Sequence, residues 1–177
     1  MNKTTHVTGA IFLSYILYPI EPEIGCVAAA ALGGLLPDID QPYSTIGQFF
    51  PIIAKNAKHR GFFHTVEFAL LATAPLYLAN MYYDISFLTK ERIIYFFLGI
   101  LSHLFLDMFN TAGIKLSIFT RKKRHRFPLH FSLSTTLGKF LEKTAGISFG
   151  FVAFCVYNPQ TVINLLNTVI ENISKFS

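Results

Sequence analysis

The sequence predicts an all-α integral membrane protein, a bundle of four to five apolar helices with a metal site at its cytoplasmic interface. Three observations predict it. Of 177 residues, 52% are apolar and 14% charged, with a mean hydropathy of +0.45, too apolar for an ordinary soluble domain of this length. The apolar residues fall into runs separated by short polar turns. Histidines and carboxylates gather at the ends of those runs, and alternate crossing brings all of these ends to one side. A single domain (1–177) is expected, made of motif-bearing helices (1–114), a basic interfacial stretch (115–145) and C-terminal helices (146–177).

The elements follow in order. Residues 5–18 and 25–36 are apolar runs split by a turn containing Pro19, Glu21, Pro22 and Glu23. Both are shorter than the roughly 20 residues that span a bilayer, so they either cross a thinned membrane or re-enter as a hairpin. Either geometry returns His6 and Asp38 to the same face. Residues 41–58 read as a polar and aromatic loop with Pro42 and Pro51. Residues 62–83 are long enough to span, with a kink expected at Pro75. A connector, 84–92, leads to a fourth run, 93–109, and a basic stretch, 115–143, precedes a further apolar run, 146–157. Asn158-Pro159 looks like a helix start, and Val162, Leu165, Leu166, Val169 and Ile173 follow at helical spacing.

Charge gives the bundle a direction. Alternate crossing collects twelve cations on one side: Lys3, Lys55, Lys58, Arg60, Lys115, Arg121, Lys122, Lys123, Arg124, Arg126, Lys139 and Lys143. Lys90 and Arg92 fall on the other, so the positive-inside rule makes the histidine-bearing side cytoplasmic. The first run imitates a signal peptide, but no convincing cleavage site follows and it is expected to be retained. Cys26 and Cys155 lie far apart in apolar runs and read as inert thiols. The run Arg121-Lys122-Lys123-Arg124-His125-Arg126 resembles a nucleic-acid patch, but beside membrane helices it reads as an anchor for anionic lipid headgroups.

His103 and Asp107, four positions apart, share a helix face and can grip one ion; the alternative is a structural hydrogen bond between helices. Ionisable residues inside a membrane run are costly and ordinarily functional. Asp38 and Asp40 follow Pro37 and, in an extended stretch, would point the same way; the alternative is a helix-stop turn. His59 and His64 bracket the entry to the third run and meet only if the loop folds back, which Gly61 would permit. Arg60 either clamps a phosphate or anchors the helix end to lipid. His6 gains meaning from lying level with Asp38, while His125 and His130 are weaker candidates. Nitrogen and oxygen donors without thiolate suit zinc, and also manganese, iron or nickel. Six or seven donors exceed one tetrahedral site, so one or two divalent ions are expected, with Asp107 or Asp38 as a bridge. No Gly-rich phosphate loop or serine elbow offers another nucleophile.

With His6, Pro37-Asp38-Ile39-Asp40, His59-Arg60-Gly61-Phe62-Phe63-His64-Thr65 and Ser102-His103-Leu104-Phe105-Leu106-Asp107 in their order, the chain resembles the YdjM-like family of inner-membrane-associated, metal-dependent hydrolases of bacteria and archaea. That family is distantly similar to the all-helical zinc-dependent phospholipase C and S1/P1 nuclease group. The resemblance implies that Asp38, His64, His103 and Asp107 hold metal and that His6 completes a second site with Asp107. For a third ion it leaves only His125, His130 and Glu142. The expected activity is metal-dependent hydrolysis of a phosphoester in a lipid or lipid-linked substrate, with Asp40 as general base and Arg60 on the phosphate. Two other readings stand beside it. One is a non-catalytic metal-binding or transport protein, which should carry polar groups through the midplane. The other is a scaffold that recruits a protein partner through its basic stretch; nucleic acid is disfavoured.

Overall fold

The computed structural model describes residues 2–19, 23–120, 124–128, 130–132 and 134–174, leaving aside the side chains of 165, 166 and 169–174. The expected anchor Arg121-Lys122-Lys123 and the α7 side chains Leu165, Leu166, Val169 and Ile173 lie outside the described residues. Seven α-helices follow in order: α1 (Lys3–Leu17), α2 (Ile24–Leu35), α3 (Pro51–Asn56), α4 (Val66–Tyr83), α5 (Lys90–Asp107), α6 (Thr136–Tyr157) and α7 (Pro159–Ser174). Three 3-10 turns, Leu36–Asp40, Gly47–Phe49 and Phe62–His64, shape the connections at the site end. Among the described residues there is no strand, only the isolated bridges Asn110 to Phe131 and Ile114 to His125. The chain is all-α.

Side-chain caps set the helix starts. Thr65, Thr89 and Thr135 accept from the backbone N–H of Phe68, Arg92 and Gly138, satisfying donors that a first turn leaves open. The Thr135 cap corrects the sequence reading of α6. Its first turns carry Lys139 and Lys143, which place them in a basic stretch by composition, yet the helix begins ten residues before the apolar run at 146. α4 runs on through Pro75. Cys26 is buried, whereas Cys155 is only half-buried.

α5 is the central helix, packed on α1, α2 and α4, and α1 packs in turn against α2 and α6. The α2–α5 crossing is close because it is made of glycine. A Cβ at Gly33 would lie 2.1 Å from the Phe96 carbonyl oxygen, and one at Gly99 would lie 2.3 Å from that of Ala30. Such small-residue crossings let backbones touch where Leu or Phe would hold them apart. Around them sits a core of Ala10, Cys26, Ala30, Ala69, Tyr95, Ile100, Leu104 and Ile114.

The alternation puts the start of α1, the end of α2, the start of α4 and the end of α5 together. The other end carries the Glu23–Arg92 ion pair and the bond from the Tyr95 hydroxyl to the Tyr18 carbonyl, 3.0 Å. Large apolar side chains remain outside: Leu70, Leu71, Tyr77, Leu78 and Met81 on α4, and Leu137, Phe140, Ile147, Phe151 and Phe154 on α6. Among the described residues, α6 is the one helix long and apolar enough to cross a membrane, and 17% of its most apolar window is buried. At 1.5 Å per residue its 22 residues reach about 33 Å. α1 and α2, with 15 and 12 residues, reach about 22 and 18 Å, short of a hydrocarbon core of about 30 Å.

Candidate metal centre

Pro37 begins the turn that delivers the first carboxylates. Its fixed φ and missing N–H suit the first turn of a 3-10 helix, so residues Leu36–Asp40 coil instead of extending. The expectation that Asp38 and Asp40 point the same way is therefore corrected. They straddle His64 instead. Asp40 Oδ2 lies 3.4 Å from His64 Nδ1, while Asp38 Oδ1 lies 3.8 Å from His64 Nε2.

The loop before α4 does fold back, through a different residue from the one expected. Arg60 carries the left-handed backbone, φ 59°, and its N–H donates to Asp40 Oδ2 at 3.0 Å. Gly61 contributes by its missing side chain, because a Cβ there would lie 2.7 Å from the Lys58 carbonyl oxygen. A left-handed non-glycine residue is strained, and the Asp40 bond compensates for it. His59 Nδ1 sits 2.9 Å from Asp40 Oδ1, which brings both loop histidines to one carboxylate. Burial pushes the Asp40 carboxyl up, and the His59 hydrogen bond with the close approach of His64 more than reverses this, leaving it at about 2.

α5 supplies His103 and Asp107 on one face. His103 Nδ1 donates to the Gly34 carbonyl at 2.7 Å, which leaves Nε2 as the unprotonated nitrogen, 3.7 Å from Asp38 Oδ1. Asp107 is reached by His6 Nε2 at 3.6 Å, His64 Nε2 at 3.6 Å and Arg60 Nε at 3.3 Å. The His6 ring stacks on that of His103, centroids 3.8 Å apart. His6, Asp40, His64, His103 and Asp107 are all buried; the side chains of Asp38 and Arg60 keep 16% and 11% of their surface at the rim, and that of His59 keeps 41%.

A metal fits this donor set. Neither ring nitrogen of His6 or of His64, nor Nε2 of His103, has a hydrogen-bond partner among the described residues. Buried polar atoms are nearly always satisfied, so five such nitrogens in one cluster call for a common partner. Three groups have donor atoms mutually within 4.8 Å: Asp38, Asp40, His59 and His64; His6, Asp38 and His103; His64, His103 and Asp107. Gaps of 3.6–3.8 Å between imidazole and carboxylate exceed a hydrogen bond. Two donors about 2.0–2.1 Å from a tetrahedral ion stand about 3.4 Å apart, close to those gaps.

Comparison with known proteins identifies the family. Residues 1–168 match the family described as YdjM inner membrane protein. The chain belongs to this family. A YdjM relative from Escherichia coli (strain K12), inner membrane protein YdjM, is 38% identical over 109 residues, which cover 58% of this chain and 53% of that protein; the Shigella flexneri protein of the same name matches to the same extent. YvsG of Bacillus subtilis (strain 168) is 32% identical over 166 residues, 89% of this chain and 94% of its own length. No solved structure matches the chain significantly.

Two expected candidates stay out of the cluster. His125 is tied by its backbone to Ile114, with N–H to carbonyl distances of 3.0 and 2.7 Å. His130 turns Nδ1 to the Phe127 carbonyl, 2.9 Å away, beside an apolar cavity lined by Leu106, Phe131 and Phe149. Glu142 accepts from the backbone N–H of Asn2. The sequence reading also missed two contributors. The Gly34 carbonyl that orients His103 is a backbone group without side-chain signature. The Gly33–Gly99 crossing that brings it within reach was legible as small residues in both runs.

Proposed function

We propose that the chain is a membrane-bound, metal-dependent hydrolase that cleaves a phosphoester in a lipid or lipid-linked substrate at the cytoplasmic face of the inner membrane. The observation that carries this reading is the set of buried imidazole nitrogens without hydrogen bonds, facing Asp38 and Asp107 at the rim of an apolar bundle. In this scheme Asp38, His64, His103 and Asp107 hold a first divalent ion and His6, sharing Asp107, a second; zinc suits the donors best. Bound there, such an ion supplies an acidified water as nucleophile and charge stabilisation for the phosphoryl oxygens.

The remaining roles belong to the chain's own side chains. Asp40, occupied by His59, His64 and the Arg60 amide, holds His64 with Nε2 toward the pocket, an orienting part rather than the general base that its sequence position suggests. Arg60 stands at the rim with a guanidinium able to meet a phosphate oxygen as it leaves Asp107. The gathering of donors at one level favours surface chemistry over passage through the membrane. The family name, the exposed apolar faces of α4 and α6 and the one-sided cations support the inner-membrane location and the cytoplasmic orientation. The reaction class rests on the resemblance read from the sequence motifs, with at most two ions.

The test is hydrolysis of bis(p-nitrophenyl) phosphate and of phospholipid vesicles by the full chain in detergent, loaded with zinc. Metal-dependent turnover that is lost in His64→Ala and Asp38→Asn is expected. A metal-loaded, folded protein without turnover on any phosphoester would overturn the reading.

A further inference from the structure

Beside Asp38 the site opens into a polar space to which the roles above assign nothing. A cavity of about 380 Å³ lies between the start of α1 and the loop after the first 3-10 turn, with Lys3, Asp38, Gln41, Tyr43, Thr45 and Gln48 in its lining. Its wall is tied to the site. The Ser44 hydroxyl donates to the Asp38 carbonyl at 2.6 Å and accepts from the Gly47 N–H at 2.8 Å. Gly47 lies so close beneath Gln41 that a Cβ would stand 2.0 Å from its carbonyl oxygen. The loop is thus closed on itself and tied to the backbone of Asp38.

The chemistry of that wall is selective. Lys3 is its cation. Its one carboxylate among the described residues, Asp38, faces His64 and His103. Glu142 of α6 is engaged by the Asn2 amide and does not line the space. Gln41, Thr45 and Gln48 add amide and hydroxyl groups that pair with alcohols; Gln48 donates to the Thr45 carbonyl at 3.1 Å, which fixes its amide and leaves its oxygen as an acceptor. A quaternary ammonium requires an aromatic cage or spare carboxylates, and here Tyr43 stands alone and 97% exposed.

Resting on the hydrolase reading, we infer that this cavity is the subsite for the substrate's headgroup, and that it takes a polyhydroxylated, net anionic phosphoester such as a glycerol or polyol phosphate. Lys3 pairs with the anionic oxygen, and Gln41, Thr45 and Gln48 hold the hydroxyls. The phosphorus end then lies toward Asp38 and the donor cluster.

Equilibrium binding of short-chain dihexanoyl phosphatidylglycerol and dihexanoyl phosphatidylcholine to the full chain in detergent tests it without reference to turnover. The glycerol lipid is expected to bind at least about tenfold more tightly, and Lys3→Gln or Gln41→Ala to weaken it about tenfold, the size of one lost charge-assisted contact. Lys55→Gln, an exposed cation on α3, controls for general attraction and should change nothing. Equal affinity for free glycerol phosphate, with the same loss in Lys3→Gln, also supports the subsite and moves the substrate from the membrane into solution. Equal binding of the two lipids, no binding of either, or indifference to both variants overturns the inference. Hydrolysis of bis(p-nitrophenyl) phosphate, which has no polyol for this cavity to hold, reports separately on the hydrolase reading, so the two can fail independently.

Discussion

His64 faces a different carboxylate with each ring nitrogen, and this explains why Asp40 matters although it lies on the side away from the pocket. With Nδ1–H turned to Asp40, the lone pair of Nε2 points between Asp38 and Asp107. Asp40→Asn keeps the shape and removes the charge, so metal affinity should fall roughly 10–100-fold in a chelator-competition titration, as for other second partners of metal-bound histidines. His59→Ala should cost less, because that ring is 41% exposed and its hydrogen bond is to Asp40. The sequence made the side-chain donors legible, since an acid or histidine at the end of an apolar run is expensive without a purpose. It did not make their partners legible. The carbonyl of Gly34 and the left-handed backbone of Arg60 are properties of the folded chain and leave no residue type to read. The extended DxD reading failed for a local reason, the 3-10 turn that Pro37 starts.

At the level of helices, the geometry of the site is inherited from the α2–α5 crossing. Gly33 and Gly99 let the two backbones meet, and only at that separation does Gly34 accept from His103. Gly99→Ala should therefore lower the unfolding free energy in detergent by about 1–3 kcal/mol, the usual cost of overpacking, and weaken metal binding as well. Gly150→Ala offers the contrast: its Cβ would meet the Thr8 methyl at 3.3 Å, an adaptable side chain, and the effect should stay within about 0.5 kcal/mol. Most helix boundaries were legible from apolar runs, to within a few residues. The start of α6 was not, because Lys139 and Lys143 on its exposed first turns mask a helix that the Thr135 cap begins.

For the molecule as a whole, the hairpin parity read from the run lengths holds, with every motif-bearing end on one side and the Glu23–Arg92 pair on the other. Run lengths alone did not determine how the short helices meet a bilayer, since α1 and α2 fall short of its thickness while α6 does not. With apolar faces on α4 and α6 left uncovered, the protein should stay with the membrane fraction through high-salt and carbonate washes and need detergent for release. Release by salt alone would mean that those faces meet another protein instead of lipid. Filling the donor cluster should also stabilise the whole fold. At a free metal concentration 1,000 times the dissociation constant the gain is about 4 kcal/mol, visible as a higher melting temperature that chelation reverses.

The central claim is that these buried nitrogens and oxygens hold a metal ion. Zinc-edge X-ray absorption on the purified, zinc-loaded full chain tests it most directly. The account predicts at least one tightly held ion per chain with a nitrogen and oxygen shell at about 2.0–2.1 Å, histidine scattering beyond it and no sulfur. A protein that retains no stoichiometric metal, or whose ion is ligated by thiolate, would contradict it.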